Sequence, residues 1–162
     1  MAGSTGLPPL TRGLFMHKKM FTILIVEDSP ADAEMTIDAL REAKLANPIV
    51  HVEDGVEAME WLLAQGAHAG RADGNPSLVL LDIKMPRMDG LEVLKRMRAT
   101  EALCHIPVVI LSSSREEQDL VRSWDLGVNA YVVKPVDVRQ FFEAVQTLGQ
   151  FWGVLNEIPD VY

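Results

Sequence analysis

An aspartate ends an aliphatic run in the stretch "LVLLDIKMPRMDG", residues 78–90. Burying an unpaired carboxylate is costly, so Asp82 needs a partner if that run is a buried strand. Other short apolar runs also end on groups that could do chemistry, namely Glu27, Asp28, Ser112 and Lys134. If these runs are parallel strands of one sheet, their carboxyl ends meet at one edge. Three carboxylates at that edge would repel one another, so the pattern predicts a cation between them.

These residue types favour phosphoryl transfer. Carboxylates without a His or Cys partner suit Mg²⁺, which often shares its site with phosphate. A lysine supplies a compact positive charge for one phosphoryl oxygen, and a serine hydroxyl can donate to another. In phosphoryl transfer the protein mainly positions groups and neutralises charge. With a carboxylate at the centre, the acceptor can be the protein itself, and Asp82 is then the predicted acceptor.

Each of these residues also has a purely structural interpretation. Glu27 and Asp28 could cap the first helix, and Ser112 could begin the next one. Asp82 could be an exposed turn residue, and Lys134 a surface charge. Their joint occurrence at strand ends favours one shared site over four separate coincidences.

The elements that must position these groups follow a regular alternation. Five β-branched apolar runs predict strands, and a helix-length segment follows each one. The predicted strands are 21–26, 48–52, 77–82, 106–112 and 130–134. Ser29 before Pro30 marks a helix start, and the fourth helix is predicted over 115–126 with Gly127 as its C-cap. The alternation predicts an α/β fold with a parallel sheet covered on both faces, whose carboxyl ends meet at one edge.

Composition limits the possible classes of function. The chain has 162 residues, enough for one domain, and a net charge of -8 that argues against nucleic-acid binding. Cys104 is the single cysteine, which excludes an intrachain disulfide and favours the cytoplasm; a packing role fits it better than a catalytic thiol. No apolar run predicts a membrane span or a signal peptide. We expect a flexible leader at 1–20.

The motifs "ILIVEDS", "LVLLDIKMPRMDG", "IPVVILSSS" and "YVVKP" resemble those of the response-regulator receiver family of two-component signalling, in the family's order. The resemblance covers 21–152, with a C-terminal tail at 153–162 that could pack on the domain or on a dimer. It implies a flavodoxin-like (βα)5 doubly wound sheet of order 2-1-3-4-5. By position, the residues that resemble the family's site are Asp82 as phosphoacceptor, Glu27, Asp28 and the Lys84 backbone carbonyl as Mg²⁺ ligands, Ser112 and Lys134 as phosphoryl-binding residues, and Tyr131 as the aromatic switch.

Two further features are similar to single-domain regulators that serve phytochrome kinases: the long connection 64–76 and the aromatic C-terminal end. They imply a sensor histidine kinase as partner, with a bacteriophytochrome as the specific candidate, and no output domain. The resemblance implies a signalling domain with no enzymatic activity beyond slow autodephosphorylation. Lys84 and Ser114 offer no carboxylate to orient a hydrolytic water, so we expect the phosphoryl group to persist.

Two other functions compete with the signalling switch. A Mg²⁺-dependent phosphatase could use Asp82 as its nucleophile, but such enzymes need a second carboxylate two residues later, where Lys84 stands. A receiver-like interaction module that is never phosphorylated would not need the full set of pocket residues.

The composition of the predicted fifth helix indicates self-association. Its apolar residues exceed what one core-facing stripe can hide, and excess apolar area usually marks an interface. We expect a homodimer through the fourth helix, fifth strand and fifth helix, unless the tail covers the excess within one chain. The candidate interface residues are Phe141, Phe142, Val145, Leu148, Phe151 and Trp152.

Overall fold

The computed structural model of the protein describes residues 22–72 and 74–146, with the side chains of 145 and 146 excepted. Five parallel strands form one sheet in the order β2-β1-β3-β4-β5, which confirms the predicted topology. The strands are β1 (Ile23–Val26), β2 (Ile49–Val52), β3 (Leu78–Asp82), β4 (Val108–Ser112) and β5 (Ala130–Val133).

Within the described residues, five helices connect and follow these strands, together with a short 3₁₀ turn at Gly66–His68. The helices are α1 (Pro30–Glu42), α2 (Gly55–Leu62), α3 (Gly90–Ala99), α4 (Arg115–Ser123) and α5 (Val138–Gln146). The first four begin at side-chain caps that accept a backbone N–H three residues later, and the capping residues are Ser29, Asp54, Asp89 and Ser114. These local bonds satisfy backbone groups that the helix itself leaves unpaired.

Helix α4 is shorter than predicted. It ends at Ser123 with Trp124 as its C-cap, so the prediction of Gly127 in that role is wrong. Asp125 has a φ of 48°, which breaks the helix two residues earlier than the glycine would. Gly127, with a φ of 68°, lies instead in the turn that leads to β5.

The alternation of side chains along the strands divides the core into two layers. One layer packs under α2, α3 and α4 and includes Val26, Leu81 and Ile110 from the sheet. The other packs under α1 and α5 and includes Ile25, Leu80, Leu111 and Val132. Continued to the strand ends, this alternation assigns Glu27, Asp82 and Lys134 to the α1/α5 side and Ser112 to the α4 side.

The long connection before β3 is fastened to α2. The Arg71 guanidinium lies 3.7 Å from the centre of the Trp61 ring and donates to the Trp61 carbonyl at 2.8 Å. It also donates to the Gly74 carbonyl at 2.6 Å. Over 22–72 and 74–146, no helix has the length and apolar character needed to cross a membrane.

Candidate phosphorylation site

Asp82 is the buried carboxylate at the end of β3. It is 3% exposed, and its Oδ1 accepts the Ile83 backbone N–H at 2.9 Å. Burial raises the pKa of Asp82 to about 7, and the neighbouring Glu27 carboxylate adds to the rise while the Lys134 ammonium opposes it. Asp82 is therefore a carboxylate whose ionised form needs a nearby cation.

Three acids converge at this strand edge. Oxygen atoms of Glu27, Asp28 and Asp82 all lie within 4.8 Å of one another. Glu27 is fully buried, whereas Asp28 is exposed and keeps the cluster open to solvent. Hard oxygen donors beside open solvent suit Mg²⁺, which keeps several of its waters in protein sites. The donor set therefore fits the predicted metal.

Lys134 compensates the buried charge. Its Nζ lies 2.8 Å from Glu27 Oε1, 3.0 Å from Asp32 Oδ2 and 3.3 Å from Asp82 Oδ1. Burial lowers the pKa of Lys134, but the surrounding carboxylates raise it further, so the net shift is upward and the ammonium stays charged. The structure thus brings the predicted lysine and the predicted acids together.

Asp32 is a member of this cluster that the sequence analysis missed. It lies in the first turn of α1, where its backbone N–H donates to the Ser29 cap. Its side chain turns to Lys134, a contact across more than one hundred residues of chain. The available signal was its position one helical turn beyond Asp28, on the element that follows the acidic pair.

Ser112 lies on the other side of the sheet edge. Its side chain is fully buried, and its Oγ accepts a hydrogen bond of 2.9 Å from Nε2 of Gln118 on α4. The same hydroxyl donates only a long 3.5 Å bond to the Val132 carbonyl. Gln118 was not predicted; its spacing from Val121 on the buried side of α4 was the available signal.

The predicted switch residue, Tyr131, shares this face of the sheet. It is half-buried on β5 and packs at the edge of the layer under α2, α3 and α4. The Arg122 guanidinium lies 4.2 Å from the centre of its ring, a cation–π contact that covers the ring from the α4 side.

Lys84 and Ser114, the two residues considered as possible holders of a hydrolytic water, both interact with Glu117. The Lys84 ammonium, on a side chain that is 81% exposed, pairs with Glu117 at 3.4 Å. Ser114 Oγ caps α4 by accepting the Glu117 backbone N–H. Glu117 also accepts hydrogen bonds from the backbone and hydroxyl of Ser113, so it closes the loop between β4 and α4.

Close backbone packing fixes the loop after the acceptor. The Gly90 N–H donates to the Ile83 carbonyl at 2.8 Å, and a Cβ on Gly90 would overlap the carbonyl oxygen of Asp82. Arg87 holds the other end of the loop through a two-point contact with Asp54, at 2.8 and 3.1 Å. Glycine at position 90 is therefore required for the acceptor strand and α3 to approach.

The structure corrects one part of the predicted interface. Phe141 is 1% exposed and packs into the layer under α1 and α5, so its assignment as an interface residue is wrong. Phe142 is partly buried against the same layer. The side chain of Val145 and all of Leu148, Phe151 and Trp152 lie outside the described residues.

Comparison with known proteins now decides the family. The response regulator receiver domain family matches residues 23–146. The chain belongs to this family. The response regulator Rcp1 of Synechocystis sp. is 36% identical over 137 residues, which are 85% of this chain and 92% of that protein.

Solved structures support the same assignment. The bacteriophytochrome response regulator AtBRR is 55% identical, with a TM-score of 0.79, and covers 85% of this chain and 98% of its own. RtBRR, another bacteriophytochrome response regulator, is 50% identical with a TM-score of 0.80, covering 87% and 85% respectively. The phosphorylated cyanobacterial phytochrome response regulator RcpA is 39% identical with a TM-score of 0.66, covering 82% and 93%. The protein is thus a receiver domain of two-component signalling, similar to phytochrome-associated regulators.

Proposed function

We propose that this receiver domain accepts a phosphoryl group on Asp82 from the phosphohistidine of a sensor kinase. The proposal rests on one observation: a buried carboxylate of raised pKa lies with two further acids and a charged lysine at the carboxyl edge of the sheet. Glu27, Asp28, Asp82 and the backbone carbonyl of Lys84 would hold Mg²⁺. When bound, the metal supplies positive charge to the phosphoryl oxygens.

The residues of this chain have distinct parts in the transfer. A carboxylate oxygen of Asp82 attacks phosphorus as the phosphorus–nitrogen bond breaks, and the bonding electrons leave with the imidazole of the kinase. Lys134 offsets the charge on one phosphoryl oxygen, and the Ser112 hydroxyl donates to another. To make this bond the Ser112 side chain would move, and Tyr131, on the same face of the sheet, is proposed to change its position in response.

The specific partner that we propose is a bacteriophytochrome histidine kinase. Support comes from the two bacteriophytochrome response regulators that are at least 50% identical and match most of both chains. The cytoplasm is the proposed location, since the single cysteine suits a reducing compartment. Transfer of phosphate from a light-regulated kinase, compared with a kinase of unrelated input, tests the partner.

A homodimer through α4, β5 and α5 remains part of the proposal. With Phe141 excluded, its support comes from exposed apolar side chains on α4, at its C-cap and on β5: Leu120 at 51%, Trp124 at 50% and Val133 at 45%. Large apolar side chains left exposed in this region support an interaction surface there. Sedimentation of the wild type and of Leu120→Glu, with and without acetyl phosphate, tests it; identical monomers throughout would exclude the dimer.

The switch and the phosphatase are separated by one assay. We expect acetyl phosphate and Mg²⁺ to add one phosphoryl group, seen in the intact mass, and EDTA to prevent the addition. A generic phosphate monoester should not be turned over, because Lys84 replaces the second carboxylate that a hydrolase of this kind needs. Sustained turnover of the monoester would favour the phosphatase, and absence of labelling would favour the unphosphorylated interaction module.

A further inference from the structure

We propose that Gln118 is a positioning residue that holds the Ser112 hydroxyl on the α4 side, and that phosphorylation of Asp82 releases this bond and loosens α4. The inference rests on the proposed function of Asp82 and names the contact through which that site would act on α4.

The bond between the two side chains is well enclosed. Ser112 is 0% exposed and Gln118 is 9% exposed, and Nε2 donates to Oγ at 2.9 Å. The second bond of the hydroxyl, to the Val132 carbonyl at 3.5 Å, is at the limit of hydrogen-bond length. The amide of Gln118 is therefore the stronger of the two contacts that fix the serine hydroxyl.

A phosphoryl group on Asp82 would compete for the same hydroxyl. Phosphoryl oxygens accept hydrogen bonds strongly, and the one serine proton, which here goes to the Val132 carbonyl, would go to the phosphoryl group instead. The bond from Gln118 uses the serine oxygen as acceptor, so it is lost only if the hydroxyl moves. Strand alternation assigns Ser112 to the α4 side and Asp82 to the α1/α5 side, so the hydroxyl must turn away from α4 to reach the acceptor. Turning would leave the Gln118 amide without this partner, and a buried amide without a partner is unfavourable.

Helix α4 is the element best suited to respond. Its buried side chains are Glu117, Gln118 and Val121, so two of its three buried positions are polar. By contrast, α3 buries Val93, Leu94 and Met97 along one apolar face. A helix that rests largely on hydrogen bonds can shift when one of those bonds is exchanged, whereas an apolar face has no equivalent exchange.

The test uses beryllofluoride with Mg²⁺ as a phosphoryl mimic, titrated against the 162-residue chain. Gln118→Leu removes the donor at similar volume, so the serine no longer has to leave a partner. We expect the variant to bind beryllofluoride about three- to ten-fold more tightly, the equilibrium value of one neutral hydrogen bond. Gln65→Leu, an exposed glutamine in the connection before β3, is the matched control and should bind like the wild type.

A double-mutant cycle separates positioning from general structure. In a Ser112→Ala background, Gln118→Leu should change beryllofluoride affinity by less than about two-fold, because the contact is already lost. In the wild type, the side-chain amide resonances of Gln118 should shift when beryllofluoride binds, which supplies a readout that needs no variant. With Ser112→Ala these resonances should stay in place on titration.

The outcomes distinguish this inference from the function on which it rests. If the wild type does not bind beryllofluoride with Mg²⁺, the proposed function of Asp82 fails. If the wild type binds but Gln118→Leu has the same or weaker affinity, only the inference is overturned. Tighter binding by Gln118→Leu in both serine and alanine backgrounds would also overturn it, since the effect would then not pass through Ser112.

Discussion

The two sides of the sheet edge around Asp82 are held by different kinds of interaction. On the α1/α5 side, one ammonium lies between three carboxylates at 2.8 to 3.3 Å. On the α4 side, the buried Ser112 hydroxyl is held by a neutral amide and a long contact to a carbonyl.

The charged contacts of Lys134 are hard to replace, whereas the neutral hydrogen bond of Ser112 can be exchanged for another. Charges in a poorly solvated site attract strongly, and removal of one partner leaves the others uncompensated. A neutral hydrogen bond contributes about 1 kcal/mol and can be replaced by another of similar strength. The lysine side is therefore suited to holding the acceptor and its ligands in place, and the serine side to transmitting the change.

The largest expected effect comes from removing the Lys134 ammonium. Lys134→Met should lower the free energy of unfolding by on the order of 3 kcal/mol at pH 8, because buried carboxylates lose their compensating charge. The same change at the exposed Lys84 should cost less than about 1 kcal/mol. Urea unfolding in EDTA measures both. The loss at Lys134 should shrink below pH 7, where Asp82 takes up a proton; equal losses at the two lysines would contradict the comparison.

A smaller effect of opposite sign is expected at the acceptor. The pKa of Asp82 is raised to about 7 in the folded protein. Protonation of Asp82 therefore stabilises the fold fully at pH values below the pKa of Asp82 in the unfolded chain, and this stabilisation is lost as the pH rises through about 7. Asp82→Asn should therefore raise the free energy of unfolding by on the order of 1 kcal/mol at pH 8. The gain should vanish towards pH 4. Urea unfolding in EDTA measures it, with the exposed Asp38→Asn as control, and destabilisation at pH 8 would count against a crowded acid cluster.

The smallest effect is expected on the α4 side. Burial tends to raise the pKa of Glu117, but hydrogen bonds from Ser113 and the Lys84 ammonium hold it below its ordinary value. Glu117→Gln should reduce stability by up to about 1 kcal/mol at pH 7. A carboxylate whose pKa is lowered on folding stabilises the fold at pH values above its pKa in the unfolded chain. The difference in the free energy of unfolding between the wild type and Glu117→Gln should therefore fade as the pH drops below about 4.5.

The control for this prediction is Glu116→Gln, an exposed neighbour in the same turn. Its effect in urea should stay close to zero at both pH values. A Glu117→Gln loss that persisted unchanged at pH 4 would show that shape, rather than charge, holds that corner of α4.

Much of the fold was predictable because its signals are local. Strand runs, the Ser29–Pro30 start and the β/α alternation all lie within short windows, and the structure confirms the sheet order. The convergence of Asp82, Glu27, Asp28 and Lys134 was also predictable, since carboxyl ends of parallel strands share an edge.

What the sequence did not reveal depends on contacts between distant segments. Asp32 and Gln118 each read as ordinary helical polar residues, and only packing against Lys134 and Ser112 gives them a role at the site. The aromatic excess of α5 was misjudged at Phe141, because helical spacing does not say how wide a face the sheet covers. The early end of α4 depends on a backbone turn at Asp125 that no residue-type rule demanded.

Mapping the phosphorylated residue tests the central claim most directly. Borohydride reduces an aspartyl phosphate to homoserine, so the chain is treated with acetyl phosphate and Mg²⁺, reduced, digested and sequenced by mass spectrometry. We predict homoserine at position 82 in the wild type and no modified residue in Asp82→Asn or in EDTA. Homoserine at Asp28 or at another carboxylate of the wild type, or undiminished labelling of Asp82→Asn, would contradict the assignment of Asp82 as the phosphoacceptor.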